Sequence, residues 1–85
     1  MSGFIYFLKP VGMDGPIKIG WSCEVNRRLQ ELQTANAARL VLLGFIPGTM
    51  EDERAWHARH ATERLEAEWF RPSQALLDAI AKVSP

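Results

Sequence analysis

Ile17-Lys18-Ile19-Gly20-Trp21-Ser22-Cys23-Glu24-Val25-Asn26-Arg27-Arg28-Leu29 is the stretch whose reading decides the fold. It opens as a short alternating strand, closes that strand at Gly20 and turns through Ser22 into an amphipathic helix. Glu24 stands at the expected helix start, where a carboxylate suits the unpaired backbone N–H groups. Val25, Leu29 and Leu32 fall on one helical stripe, at spacings of four and three. Arg28 lies beside that stripe in the first turns, placed to look back over the end of the strand. A planar, permanently charged guanidinium on a rigid element makes a good phosphate clamp. On pattern alone it is also an ordinary surface arginine.

Upstream, Phe4-Ile5-Tyr6-Phe7-Leu8 is aromatic and β-branched and reads as a strand. Period two puts Phe4, Tyr6 and Leu8 on one face and Ile5 and Phe7 on the other. Both faces are apolar, so the sheet is expected to be covered on both sides. Pro10 ends the strand, and the turn-rich Val11 to Pro16 joins it to Ile17 as a β-hairpin.

Downstream, the helix is expected to run from about Glu24 to about Asn36, with Asn36 in the left-handed conformation of a helix end. Leu40 to Ile46 is an apolar run stopped by Pro47-Gly48, and reads as a buried strand. Thr49 is placed as an N-cap, with Glu51, Asp52 and Glu53 in the first turn of a second helix extending to about Leu65. That helix carries a polar stripe of Glu53, His57, His60 and Arg64. Glu68-Trp69-Phe70 reads as a short connection. A last helix begins at Pro72 or Ser73, and Leu76, Leu77, Ile80 and Val83 give it an apolar face. The expected fold class is α+β: a three-stranded antiparallel sheet flanked by helices, in the order ββαβαα.

Composition narrows the function. Ten basic residues balance ten acidic ones, so no overall basic field draws in nucleic acid, and phosphate contacts must come from local placement. Hydrophobic residues at 47% and charged residues at 24% exclude a disordered chain. The single cysteine, Cys23, excludes an internal disulfide and fits a reducing compartment. No stretch approaches transmembrane length. A single domain over residues 1–85, with a cytoplasmic, intracellular location and no membrane partner, is therefore expected.

Five short motifs in this order resemble the GIY-YIG endonuclease superfamily. The likeness is closest to its small phage-type branch, related to fungal proteins labelled meiotically up-regulated. The residues are Phe4-Ile5-Tyr6, Lys18-Ile19-Gly20, Arg28 ten residues after that second motif begins, Glu53-Arg54-Ala55-Trp56-His57, and Glu68-Trp69-Phe70. The likeness extends from Gly3 to about Ile80. It implies metal-dependent hydrolysis of phosphodiester bonds in DNA, with Mg²⁺ or Mn²⁺ as cofactor. By the resemblance, Tyr6 helps activate or position the attacking water, Arg28 stabilises the reacting phosphate and Glu53 holds one metal. His57 and Lys18 join them as catalytic candidates, and Lys18, Arg27, Arg28 and Arg64 as nucleic-acid contacts. The chemistry suits these types, because a guanidinium and a metal both stabilise charge on non-bridging oxygens. A magnesium ion that keeps its waters needs only one or two carboxylates. Lys18 replaces the tyrosine that usually opens the second motif, as it often does in this branch. Its ammonium is expected within a few ångströms of the Tyr6 hydroxyl. Ala67 stands where relatives usually have glycine.

Other readings stay open. Tyr6 fits a core tyrosine with its hydroxyl at the rim, and Glu53 fits an ordinary first-turn carboxylate. His57 and His60 fit solvent-facing positions; with Glu53 they also carry metal-ligand spacing for zinc or manganese. The alternative function is a catalytically weak or inactive nucleic-acid-binding or adaptor module of the same fold. Target choice is open to a partner protein or a homo-oligomer.

Overall fold

The computed structural model describes residues 2–83. Strands β1 (Gly3–Pro10) and β2 (Ile17–Ser22) are followed by helix α1 (Val25–Ala35), strand β3 (Leu40–Gly48) and helix α2 (Met50–Arg59). A 3₁₀ turn over Ala61–Glu63 leads to β4 (Arg64–Glu66), β5 (Trp69–Phe70) and helix α3 (Gln74–Val83). The strands form one antiparallel sheet in the order β3-β1-β2-β5-β4. The class is α+β with the three expected helices, but among the described residues the sheet has five strands rather than three, because a 3₁₀ turn and the β4–β5 hairpin stand between α2 and α3.

Alternation along β1 sets the layers. Ile5 and Phe7, with Ile17 and Ile19 of β2, face Trp56 of α2 and Leu76 and Ile80 of α3. Tyr6 and Leu8 turn the other way and meet Val25, Leu29 and Leu32, the stripe of α1. Both faces are covered, as the apolar run requires. Each large side chain removed from water contributes roughly 1.5–3 kcal/mol, and Phe7, Ile17, Ile19, Phe70 and Leu76 are wholly buried.

The helix ends show how local chemistry fixes these elements. Thr49 and Asp52 form a reciprocal capping box, the Thr49 hydroxyl accepting from Asp52 N and the Asp52 carboxylate from Thr49 N. Ser73 Oγ accepts from Leu76 N at 3.1 Å and so starts α3. Glu24 occupies the N-cap of α1 without a side-chain cap; Ser22 Oγ instead accepts its N–H at 3.0 Å. Asn36 ends α1 in an extended conformation, not a left-handed one, and its Nδ2 donates to Leu32 O at 2.7 Å.

The second helix stops at Arg59, short of Leu65. Residues 60–66 are good helix formers, so propensity alone would continue it. Tertiary ties win. Arg71 N donates to Glu63 O at 2.7 Å, Ser73 Oγ donates to Glu63 Oε1 at 3.1 Å, and Ile17 and Lys18 pair with Phe70 and Trp69. The hairpin between β4 and β5 turns at Ala67, whose φ of 52° lies in the left-handed region. A Cβ there costs roughly 1–2 kcal/mol, which is why glycine suits this position. No helix among the described residues is long and apolar enough to cross a membrane.

Candidate active site

Strand β5 is only two residues long, and this shortness creates the site. It covers the edge of β2 at Ile17 and Lys18, and Ile19 N still donates to Glu68 O at 3.0 Å. Beyond that point the edge of β2 is open. The Ile19 carbonyl, which a longer β5 would have engaged, accepts a hydrogen bond from His57 Nε2 at 2.9 Å. A carbonyl only accepts, so Nε2 carries the proton, and Nδ1 makes no hydrogen bond among the described residues. The imidazole also tilts against the Phe70 ring, with centroids 5.1 Å apart. His57 thus has a structural role, satisfying a strand carbonyl that would otherwise be left unpaired.

On the α1 side of the same opening, Tyr6 is paired in register with Gly20 and is 2% exposed. Its ring lies across the glycine so closely that a Cβ at Gly20 would run into Tyr6 Cζ and the hydroxyl. Gly20 is therefore the seat of Tyr6. Burial pushes the Tyr6 phenol above its ordinary pKa; the Arg28 guanidinium beside it pulls down, and the Glu68 and Glu53 carboxylates push up. The Arg28 guanidinium lies close enough to act on the Tyr6 hydroxyl both as a hydrogen-bond donor and as a charge. Arg28 also donates to Glu31 Oε1, at 3.2 Å.

Glu53 comes from α2, on the opposite face of the sheet, one helical turn before the His57 that bonds the Ile19 carbonyl. Burial raises its carboxyl pKa first; Glu68 adds to the rise, while His57, Lys18 and Arg54 oppose it. Lys18 is 8% exposed, and its ammonium pairs with Glu68 Oε1 at 3.1 Å and lies 5.3 Å from the centre of the Trp69 ring. The cation acting on Tyr6 is therefore Arg28, not Lys18 as the sequence suggested. The far end of β2 is held by Trp21, whose Nε1–H donates to Gly48 O at 2.9 Å. A Cβ on Gly3 would meet the Trp21 ring at 2.6 Å, so the indole crosses β1 over that glycine.

The fold thus brings Tyr6, Lys18, Arg28, Glu53 and His57 to one place and leaves two of the expected residues outside it. Arg27 points outward and pairs with Glu24 and Glu31 at 3.5 and 3.7 Å. Arg64 is on β4 rather than on the α2 stripe, with its Nε–H donating to Ala67 O at 2.6 Å. His60 turns away from solvent and stacks on Trp56 with centroids 5.7 Å apart; its Nε2 is buried without a partner among the described residues. No group of three or more His, Cys, Asp or Glu among the described residues could hold a metal, so a three-ligand zinc site from Glu53, His57 and His60 does not form. Glu68 was quoted within the Glu68-Trp69-Phe70 motif but was given no role of its own. Its position next to an aromatic pair at a strand start was the available signal.

The family profile described as the T5orf172 domain matches residues 3–84. The chain belongs to this family, a domain found in phage and related endonuclease-like proteins. Comparison with curated proteins and with solved structures gives no match.

Proposed function

We propose that this T5orf172-domain chain is a metal-dependent endonuclease that hydrolyses phosphodiester bonds in DNA, using a single-metal site of GIY-YIG type. One observation carries the reading. Around the open edge of β2 stand the buried Tyr6 with Arg28 of α1 beside it, the Lys18–Glu68 ion pair, and His57 of α2 bonded to the Ile19 carbonyl, one helical turn after Glu53. Packing alone gives no reason for a phenol, a guanidinium and two carboxylates to meet at an open strand edge. Membership of a family found in endonuclease-like proteins points the same way.

The donor set fits one magnesium or manganese ion. Glu53 is a partly buried carboxylate whose ionisation is opposed by burial and by Glu68, and a divalent cation would relieve both. Glu53 would hold the ion, with Glu68 adding negative charge, and water and substrate oxygens would complete the shell. When bound, the ion supplies charge neutralisation at the phosphoryl oxygens.

The chain's own residues divide the remaining work. Arg28, half exposed beside Tyr6, takes a non-bridging phosphate oxygen and stabilises the charge that grows on it. Tyr6 stays protonated because burial outweighs Arg28, so it orients the attacking water through its hydroxyl instead of acting as a preformed phenolate. His57, with Nε2 tied to the strand, offers Nδ1 as the proton acceptor. Lys18 holds Glu68 in place and screens it from Glu53.

The test is cleavage of single-stranded, duplex and branched DNA, and of RNA, in EDTA and in Mg²⁺ or Mn²⁺. Cleavage of DNA that needs the metal is expected. Arg28→Ala should slow it by about 10²–10³-fold, whereas Arg27→Ala should leave the rate nearly unchanged. Metal-independent binding without cleavage of any substrate would reject the reading in favour of a binding module.

A further inference from the structure

A cavity of about 340 Å³ opens on the α1 side of the sheet, next to the candidate site but not part of it. Its walls include Pro16, Asn36, Leu40, Leu65, Glu66 and Trp69. Trp69 is the partition. Its neighbour across the sheet is Lys18, and the Lys18 ammonium lies over its ring. Helix α1 joins the two sites from above, since Arg28 lies near its start and Asn36 caps its end. Eight residues of helix separate them, a span of roughly 12 Å, which one or two nucleotides of an extended strand can bridge.

The lining selects among ligands. Trp69, partly buried against the Tyr6–Leu8–Leu40 cluster, turns the rest of its flat ring to the cavity, prolines give rigid walls, and Leu65 is 55% exposed, unusually open for a leucine in a strand. These surfaces suit a planar aromatic ring. The polar groups are acceptors. Glu66 is a carboxylate with no ion pair among the described residues, and the Asn36 amide has its Nδ2 committed to Leu32 O, leaving Oδ1. Acceptors repel a phosphate and favour a ring that carries N–H donors.

We propose that this cavity is a nucleobase pocket, taking an unpaired base with an exocyclic amino group from the strand whose phosphate lies at Arg28. The base stacks on Trp69, and its amino group donates to Glu66. A base in this position has left its stack, so the substrate is single-stranded or locally opened at that nucleotide. The inference rests on the nuclease reading for the position of the phosphate.

Anisotropy titration of the full chain with short oligo(dC) and oligo(dT) of equal length tests it, in EDTA at one fixed salt concentration. Cytosine carries the amino group and thymine does not. Oligo(dC) should bind at least about fivefold more tightly, the lower end of what one good base contact discriminates. Glu66→Gln should bring the ratio close to one, and Leu65→Ala should weaken oligo(dC) binding; both residues are exposed, so the fold tolerates these changes. Equal binding of the two oligonucleotides, or a ratio that survives Glu66→Gln, overturns the pocket. If metal-dependent cleavage is intact in that case, the nuclease reading stands without it. A ratio that is present and lost in Glu66→Gln, in a protein that cleaves nothing, keeps the pocket and rejects the nuclease.

Discussion

Gly20→Ala should destabilise the protein, although the same change in an ordinary strand would stabilise it. Replacing a strand glycine by alanine normally gains about 0.5–1 kcal/mol, because the unfolded chain loses freedom. Here the new Cβ would stand 2.8 Å from Tyr6 Cε1 and closer still to Cζ and the hydroxyl. Tyr6 is 2% exposed under the α1 stripe, so the ring has little room to retreat. Overpacking of this kind costs about 1–3 kcal/mol. The net loss is then about 1 kcal/mol, within bounds of about 0 and 2.5 kcal/mol, offset as it is by the backbone gain. Urea unfolding followed by tryptophan fluorescence would read it as a lower midpoint at unchanged slope. A double-mutant cycle gives the sharper result. In a Tyr6→Ala background the obstacle is gone, and Gly20→Ala should become stabilising; in Tyr6→Phe, which keeps the ring, it should still destabilise. Cleavage should fall by about 10²-fold in Gly20→Ala, the scale expected from a small displacement of a positioning group. If Gly20→Ala stabilises the parent as much as it stabilises Tyr6→Ala, the tyrosine does not lie where it is described.

Two further outcomes concern the histidines. His57→Ala should cost about 1–3 kcal/mol of stability by orphaning the Ile19 carbonyl, and should lower cleavage beyond the loss of folded protein; added imidazole should restore part of the rate, which a purely structural role would not allow. His60 is buried with an unpartnered Nε2, and burial holds its pKa below the ordinary histidine value. The unfolded chain therefore takes up the proton first. The stability tied to neutral His60 is complete above the ordinary histidine pKa and drains away as pH falls from there toward the folded value. The urea midpoint should drop over that window, and His60→Phe should flatten the drop.

Much of the fold was legible in the sequence where pattern and burial agree. The two-faced apolar β1, the hairpin to β2, the α1 stripe and the Thr49 cap followed from periodicity and end chemistry, as did the α3 face at Leu76 and Ile80, although Val83 is 40% exposed. The apolar run of β3 was expected to be buried, but β3 is an edge strand and leaves Val41 and Phe45 exposed. The β4–β5 hairpin was not legible, and the physical reason is local. Residues 61–66 favour helix, the turn residue is Ala67 in place of the glycine that signals a turn, and a two-residue strand carries no period. Losing that hairpin also left Glu68, quoted only as part of a motif, without a role. Without β5 there was no neighbour for Lys18 except Tyr6, so the ion pair that forms at 3.1 Å went to the wrong partner. Arg64 followed from the same error, since a helix continued past Arg59 placed it on the polar stripe. Tyr6, Arg28, Glu53 and His57 were legible as a set only through the motifs, because each has an ordinary role when taken alone.

The most direct measurement is single-turnover cleavage of labelled DNA by the parent and by Glu53→Gln across a Mg²⁺ titration, with unfolding followed alongside. The fold should not suffer. Burial and the Glu68 carboxylate raise the Glu53 pKa, so holding this group charged costs stability as pH rises from the ordinary glutamate value through the folded one. Glutamine removes that cost, and the urea midpoint near neutral pH should equal or exceed the parent's. Cleavage should fall by about 10²-fold or more, the scale of losing one main stabiliser of the transition state, and should not recover at high Mg²⁺. A Glu53→Gln protein that cleaves at the parental rate with the parental Mg²⁺ dependence would contradict the account.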